Sequence, residues 1–374
     1  MTNRERFIGV MDCQSVDRVP NHELGVWPQT KRRWADEGLD IHNLHWDWFT
    51  GEEYFGMDAR EFIPLNYGML PEFDQEIIER TTEYEIVRHP NGIITKALVA
   101  GTVNGARMSM DQYLSFPVRE IGDFRELKKR YNAEDLGRYP PQWREIMLPR
   151  WRNRGHVLVL GRNGAVLGFY FRAREWMGTE NVSLAWYEKP ELMHEMMAFV
   201  ADFTIETSRT LLEAIDTDYV VIHEDMAMKN GPLLSPDLYS MFIFPHMARL
   251  VGFLKNNGVR YVMVDSDGDC ELLIPLLLEA GADGVWPLER AAGMDPVKLR
   301  AKFGKRLRMW GGVDKRVLAQ DKKAIDDHLR ALAPVVEQGG YIPSVDHLVP
   351  PDVPLASFCH YMERKKELLE GAFP

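Results

Sequence analysis

Cysteine is scarce. Cys13, Cys270 and Cys359 are the only three in 374 residues, and they form neither a Cys-x-x-Cys pair nor an even framework. That excludes a disulfide-built scaffold and points to a reducing, cytoplasmic compartment. Long apolar runs are missing too: Leu272–Leu278 is bounded by Glu271 and Glu279, far short of a membrane span. The N-terminus shows no secretory pattern, because Arg4, Glu5 and Arg6 beside a short apolar patch read as a helix start. Basic charge is in deficit, 45 Lys and Arg against 56 Asp and Glu, so neither nucleic acid nor an anionic membrane is the expected partner. No Gly-x-Gly-x-x-Gly follows a first strand, no Gly-x-Ser-x-Gly elbow is present, and no His-Glu-x-x-His occurs.

What is present is a repeating order of short apolar runs and longer segments with helical spacing. The runs are His156–Leu160, Tyr219–Ile222, Tyr261–Val264, Gly284–Leu288, Leu307–Trp310 and Tyr341–Pro343. Between and after them the spacing predicts helices over Pro190–Ile215, Ser235–Asn256, Cys270–Glu279, Asp295–Phe303, Lys322–Glu337 and Val353–Glu370. Ser235-Pro236 has the form of an N-cap followed by Pro at the first helical position, and Gly258 and Gly281 stand where helices should stop. Such alternation implies a parallel sheet covered by helices. With Arg18–His22 as an earlier strand, the count fits a (β/α)8 TIM barrel of one domain over residues 1–374. Thr82–Val87 and Ile93–Val99, joined through Pro90-Asn91-Gly92, read as an inserted N-terminal β-hairpin covering one end of it.

In such barrels the chemistry sits where strands end. The strand ends here carry His22 and Glu23; His223, Glu224 and Asp225; Asp265, Asp267 and Asp269; Glu289; Asp314; and Asp346 with His347. Each has an ordinary explanation. Asp265, Ser266 and Asp269 suit helix caps, Asp225 suits a turn, Glu289 suits an ion pair with Arg290, and His347 suits a hydrogen-bonded loop histidine. Independent caps, however, have no reason to converge on one face. The residues serve equally as a carboxylate acid–base site or as ligands for zinc, with Asp265, Glu289 and His347 drawn from three strands. Trp27, Trp46, Trp48, Trp176, Trp286 and Trp310 are numerous, and Trp27, Trp286 and Trp310 are placed to wall an apolar pocket.

Arg4-Glu5-Arg6-Phe7, Asp17-Arg18-Val19-Pro20, Ser235-Pro236, Asp265-Ser266-Asp267-Gly268-Asp269, Gly311-Gly312-Val313-Asp314-Lys315 and Gly339-Gly340-Tyr341 together resemble the uroporphyrinogen decarboxylase-like superfamily. The resemblance spans nearly the whole chain and implies a (β/α)8 barrel. Its decarboxylases carry Arg-Gln-Ala-Gly-Arg after the first strand, to grip substrate carboxylates. Here that region reads His22-Glu23-Leu24-Gly25-Val26-Trp27, which does not suit a polycarboxylate.

The superfamily's corrinoid-dependent methyltransferases carry zinc on a His-x-Cys pair, a Glu and a late Cys. Asp265-x-Asp267, Glu289 and His347 take those positions with different ligand types. Carboxylate and imidazole ligands leave a stronger Lewis acid toward oxygen. The resemblance therefore implies the methyltransferase component of an aryl-ether O-demethylase. In that reading zinc sits on Asp265, Glu289 and His347. Glu224, His223 and Asp267 are catalytic, and His22, Glu23, Trp27, Trp286 and Trp310 bind substrate. The chain has no Asp-x-His-x-x-Gly signature, so a partner protein must carry the corrinoid. A homodimer is compatible with this reading. The rivals are transfer from a methylamine, thiol or thioether, a metal-independent lyase or decarboxylase, and a non-catalytic binding barrel.

Overall fold

The computed structural model describes residues 1–40, 49–103, 106–107, 111–161 and 165–372. Its central sheet contains eight strands: β1 (Arg60–Phe62), β2 (Val157–Val159), β3 (Ala165–Leu167), β4 (Thr217–His223), β5 (Val259–Asp265), β6 (Gly284–Trp286), β7 (Arg308–Val313) and β8 (Tyr341–Val345). Their order is β1-β2-β4-β5-β6-β7-β8, with β3 pairing the far half of β4, and every pairing is parallel. Helices cover the outer face, so the strands are buried on both sides and read as near-continuous apolar runs. Val157–Val159 and Tyr341–Val345 are buried throughout.

Arg18–His22 forms no strand. The segment Asn21–Trp27 instead lies in the gap between β8 and β1. On one side Asp58 N donates to Asn21 O and Phe49 N to Leu24 O, and on the other Val349 N donates to Gly25 O and Trp27 N to Val349 O. The register is fixed by Arg18, whose guanidinium holds both oxygens of Asp58 at 2.7 and 2.6 Å. The sheet thus curls into a TIM-barrel-like fold closed by irregular chain.

The N-terminal helix Asn3–Met11 starts at a reciprocal capping box, with Glu5 N on Thr2 Oγ1 and Thr2 N on Glu5 Oε2. It plugs the N-terminal end of the sheet. Phe7 packs against Tyr219, Tyr261 and Trp310, and Gly340 N donates to Val10 O.

Most predicted helices are present, Pro190–Leu212, Lys322–Glu337 and Leu355–Leu369 among them. Ser235–Asn256 is broken into Pro236–Leu238, a wide π turn Tyr239–Ile243 and Phe244–Asn256. Pro245 has no N–H, so it interrupts the helical ladder there. The predicted hairpin is the centre of a larger antiparallel sheet, ordered Glu76–Arg80, Tyr84–Arg88, Ile94–Leu98 and Gln112–Ser115. It adjoins the helix Phe169–Met177, through Val118 N on Trp176 O. Among the described residues no helix is long and apolar enough to cross a membrane, and all three cysteines are free.

Candidate active site at the strand ends

His223 ends β4, Asp265 ends β5 and Trp286 ends β6, and each is the register partner of the next. Register partners point to the same face, so the three form one row across the barrel mouth. His223 Nδ1 lies 2.5 Å from Asp265 Oδ2, and His223 Nε2 lies 3.9 Å from Asp225 Oδ2. Burial disfavours the imidazolium, but the charge and hydrogen bond of Asp265, then Asp225 and Glu224, outweigh it and push His223 up to about 9. Burial raises the Asp265 carboxyl against the pull of His223. Asp225 stands in the left-handed region at φ 44°, where Arg174 Nη2 holds its Oδ2 at 3.0 Å and Nη1 its backbone oxygen at 3.2 Å. Phe171 meets the His223 ring edge-on at 4.3 Å. A cleft of about 200 Å³ opens beside His223, lined by Asn66, Tyr67, Val166, Leu167 and Phe171. A larger cavity of about 1060 Å³, between residues 132–145 and Glu206–Thr210, touches none of the strand-end residues.

Glu224 follows His223 directly and turns the other way. It is fully buried, with Oε1 accepting from Phe169 N at 3.0 Å and Oε2 from Tyr170 N at 2.7 Å. It caps the helix Phe169–Met177, whose own N-cap, Gly168, has no side chain. A Cβ at Gly168 would lie 1.7 Å from His223 O, so the cap has to come from elsewhere in the chain. Burial pushes the Glu224 carboxyl up to about 7 against those backbone hydrogen bonds. The expected catalytic Glu224 is therefore a structural neighbour of the site, holding the helix that carries Phe171 and Arg174.

A second group lies along the mouth. Asp267 Oδ2 is 3.3 Å from His347 Nε2, and the His347 ring stacks on half-exposed Trp27 at 5.9 Å. Burial lowers His347, but Asp267 more than restores it, so its net shift is upward. Glu289 Oε1 accepts from Lys315 Nζ at 2.9 Å and its Oε2 from Gly268 N at 3.2 Å. Its partner is thus Lys315, while Arg290 pairs with Asp295. Gly311, at φ 103°, allows β7 to pass Leu288 and Pro287, where a Cβ would meet Leu288 N at 2.8 Å. Of the expected caps, Asp269 accepts from Glu271 N just before the helix whose N-cap position is Cys270, while Asp265 bonds to His223 and Ser266 Oγ accepts from Met226 N.

Among the described residues, the ligating atoms of His223, Asp225 and Asp265 all lie within 4.8 Å of one another. Asp265 of the expected metal set belongs to this group. Glu289 and His347 lie outside it, Glu289 paired with Lys315 and His347 with Asp267. Two carboxylates and an imidazole suit zinc or a similar divalent ion, which would replace the proton that His223 and Asp265 share.

Two expected substrate contacts are closed off. Glu23 Oε1 accepts from Lys365 Nζ at 2.6 Å and Tyr361 Oη at 2.5 Å, and its Oε2 from Val345 N at 2.8 Å, so it is a buried structural pair and cannot repel a ligand. His22 is also buried and stacks on Trp310 at 5.2 Å. Trp286, half-buried, packs on Trp310 at 5.6 Å, and Trp27 lies at the rim. Trp46 and Trp48 lie outside the described residues.

The sequence model of the family Uroporphyrinogen decarboxylase (URO-D) matches residues 80–368. The chain belongs to this family. A uroporphyrinogen decarboxylase of Nocardia farcinica is 25% identical over 322 residues, covering 82% of this chain and 87% of its own. One of Trichormus variabilis is 22% identical over 324 residues, covering 83% and 88%. Among solved structures, a methyltransferase from Methanosarcina mazei aligns with a TM-score of 0.59 at 15% identity, covering 98% of this chain and 99% of that one. That likeness is one of fold, and it agrees with the barrel expected from the sequence. In this URO-D family member, His223, Asp225, Asp265, Glu289 and His347 all fall inside the matched region, and His22 and Arg60 fall before it.

Proposed function

We propose that this URO-D family enzyme is a corrinoid-dependent methyltransferase that removes the methyl group of a methoxylated aromatic compound. The observation that carries the reading is the His223–Asp225–Asp265 cluster at the barrel mouth, a carboxylate–imidazole set suited to activating an ether oxygen. The basic side chains around it have carboxylate partners within the chain: Arg172 with Glu175, Arg174 with Asp225, Arg290 with Asp295 and Lys315 with Glu289. Such a rim offers little to a substrate bearing many carboxylates.

Zinc held by His223, Asp225 and Asp265 would supply Lewis acidity toward the leaving oxygen. The methyl acceptor in this reading is a Co(I) corrinoid carried by a partner protein. Asp267 pairs with His347 Nε2 and favours its imidazolium, which is the proton source for the departing oxygen. Phe171 and Trp286 provide flat apolar surface for the ring, with the buried Trp310 behind Trp286. Lys315 keeps Glu289 ionised and away from the cluster.

The test supplies zinc, Co(I) cobalamin and a panel of methoxylated aromatics, methylamines and thioethers, and follows methylcobalamin by absorbance. Formation from the aromatic ethers, reduced on the order of a hundredfold in Asp265→Ala, is the expected result. Release of CO₂ from uroporphyrinogen, without methyl transfer from any donor, would make the chain a decarboxylase like its named relatives.

A further inference from the structure

His223 and Asp265 owe their places to the sheet, since each ends a strand as the other's register partner. Asp225 has no such support. It lies beyond the end of β4, in a turn, with φ at 44°. A residue with a Cβ adopts that left-handed conformation only at a cost. Something outside its own backbone preference has to keep it there.

One side chain holds both ends of this residue. Arg174 Nη1 donates to the Asp225 backbone oxygen at 3.2 Å, and Nη2 donates to its Oδ2 at 3.0 Å. A planar guanidinium fork can span turn and carboxylate together, whereas a compact ammonium cannot. Arg174 is itself anchored. It belongs to the helix Phe169–Met177, whose first turn is held by Glu224, the residue before Asp225. The chain grips the helix at Glu224, and the helix grips the chain back at Asp225. Phe171 and Arg174 share one helix face, with the guanidinium carbon 5.3 Å from the ring centre, and Phe171 meets His223 at 4.3 Å. One face of one helix therefore flanks the cluster at both His223 and Asp225.

Charge alone would give Arg174 the opposite role. A cation beside a divalent-ion site repels the ion, so removing it would tighten binding. A residue that positions Asp225 does the reverse: without it the turn relaxes and carries the carboxylate away from His223 and Asp265. The side chain of Arg174 is 27% exposed, so solvent screens its charge, while its two hydrogen bonds act at contact distance. Position outweighs repulsion on that comparison.

We propose that Arg174 is a positioning residue for the candidate site. It holds Asp225 in the left-handed turn that presents its carboxylate to His223 and Asp265, and so completes a three-ligand site for a divalent cation. This role rests on the reading of the cluster as a zinc site, and it adds a residue that touches neither the ion nor the substrate.

Zinc affinity of the full chain is measured by competition with a chromophoric chelator in the parent, Arg174→Lys and Arg174→Ala. Both variants should bind zinc at least about tenfold more weakly, although the lysine keeps the charge. Millimolar guanidinium added to Arg174→Ala should restore part of that affinity, and ammonium should not. Parent-like affinity in Arg174→Lys, or tighter binding in Arg174→Ala, would overturn the role and leave Arg174 a competing charge. A second arm uses metal-free protein. Asp225→Gly removes the left-handed cost, so its effect on the urea midpoint should be more favourable in Arg174→Ala than in the parent. Equal effects in the two backgrounds would overturn the hold on Asp225. Unequal effects in a parent that binds no zinc would leave Arg174 positioning Asp225 and remove the metal reading.

Discussion

His223 and Asp265 end adjacent strands as register partners, and Nδ1 of the one lies 2.5 Å from Oδ2 of the other. In the metal-free protein this contact should hold the imidazolium to about pH 9, readable by NMR titration of the ring protons. The folded value lies above the ordinary one, so the stability it contributes is complete below about pH 6.5 and is lost as pH rises through about 9. Asp265→Asn should bring the titration back toward the ordinary histidine range. An unchanged midpoint in that variant would show that Asp265 does not govern the charge of His223.

Metal content offers a sharper division. With zinc supplied and excess removed by dialysis, Asp225→Ala and Asp265→Ala should each weaken retention by at least about tenfold. Glu289→Ala should keep the metal, because Glu289 lies outside the His223–Asp225–Asp265 cluster. Loss of zinc in Glu289→Ala with retention in Asp225→Ala would move the centre to the Glu289–His347 side of the mouth.

Glu224 should matter for stability more than for chemistry. Glu224→Ala strands the buried amides of Phe169 and Tyr170 and should lower unfolding free energy by about 1–3 kcal/mol in denaturant titration. Glu224→Gln retains an acceptor oxygen and should lose less. Gly168→Ala should be worse than either, since its methyl meets the backbone of His223. Full stability in Glu224→Ala would mean that the helix needs no such cap.

Asp346 is buried, accepts from Arg290 N and Lys315 N, and is pushed up to about 6, mainly by burial. A carboxyl raised in the folded state stabilises fully below about pH 4, and that contribution disappears as pH rises through about 6. Urea unfolding at successive pH values should show this fall superimposed on other titrations. Asp346→Asn should flatten it while forfeiting one backbone hydrogen bond. The same slope in parent and variant would assign it to another group.

Lys365 and Glu23 form an ion pair with no solvent access on Lys365. Removing one partner leaves the other charge buried, so Lys365→Met should destabilise by about 3–5 kcal/mol. The double variant Glu23→Gln with Lys365→Met should recover part of that loss, as a thermal or denaturant double-mutant cycle would report. Additive losses would indicate that the two groups act independently.

The later strands were legible because burial on both faces leaves unbroken runs such as Tyr261–Val264. Arg60-Glu61-Phe62 gave no such signal: a three-residue strand with two charges has no apolar periodicity. Arg18–His22 resembled a strand because Val19 and Pro20 favour extended chain, yet its place in the barrel is set by Arg18 on Asp58, forty residues away. Asp225 passed for a turn residue, since nothing in its identity reveals a left-handed backbone beside Arg174. Side-chain alternation along a strand could have separated His223 from Glu224, because consecutive residues face opposite sides. The row His223–Asp265–Trp286 needed strand register, which is a tertiary property.

The segment Asn21–Trp27 and its flanks are seated on one side by chain that is made much later. Glu23 waits for Lys365, Val19 N bonds to Leu369 O, Thr30 Oγ1 to Val349 O, and Trp34 Nε1 to Val353 O. During synthesis Glu23 therefore stays without its cation until the helix Leu355–Leu369 has been made. The barrel's closing stave can be seated on its Asp58 side long before Val349 reaches its other side, which leaves that edge of the nascent barrel open in between.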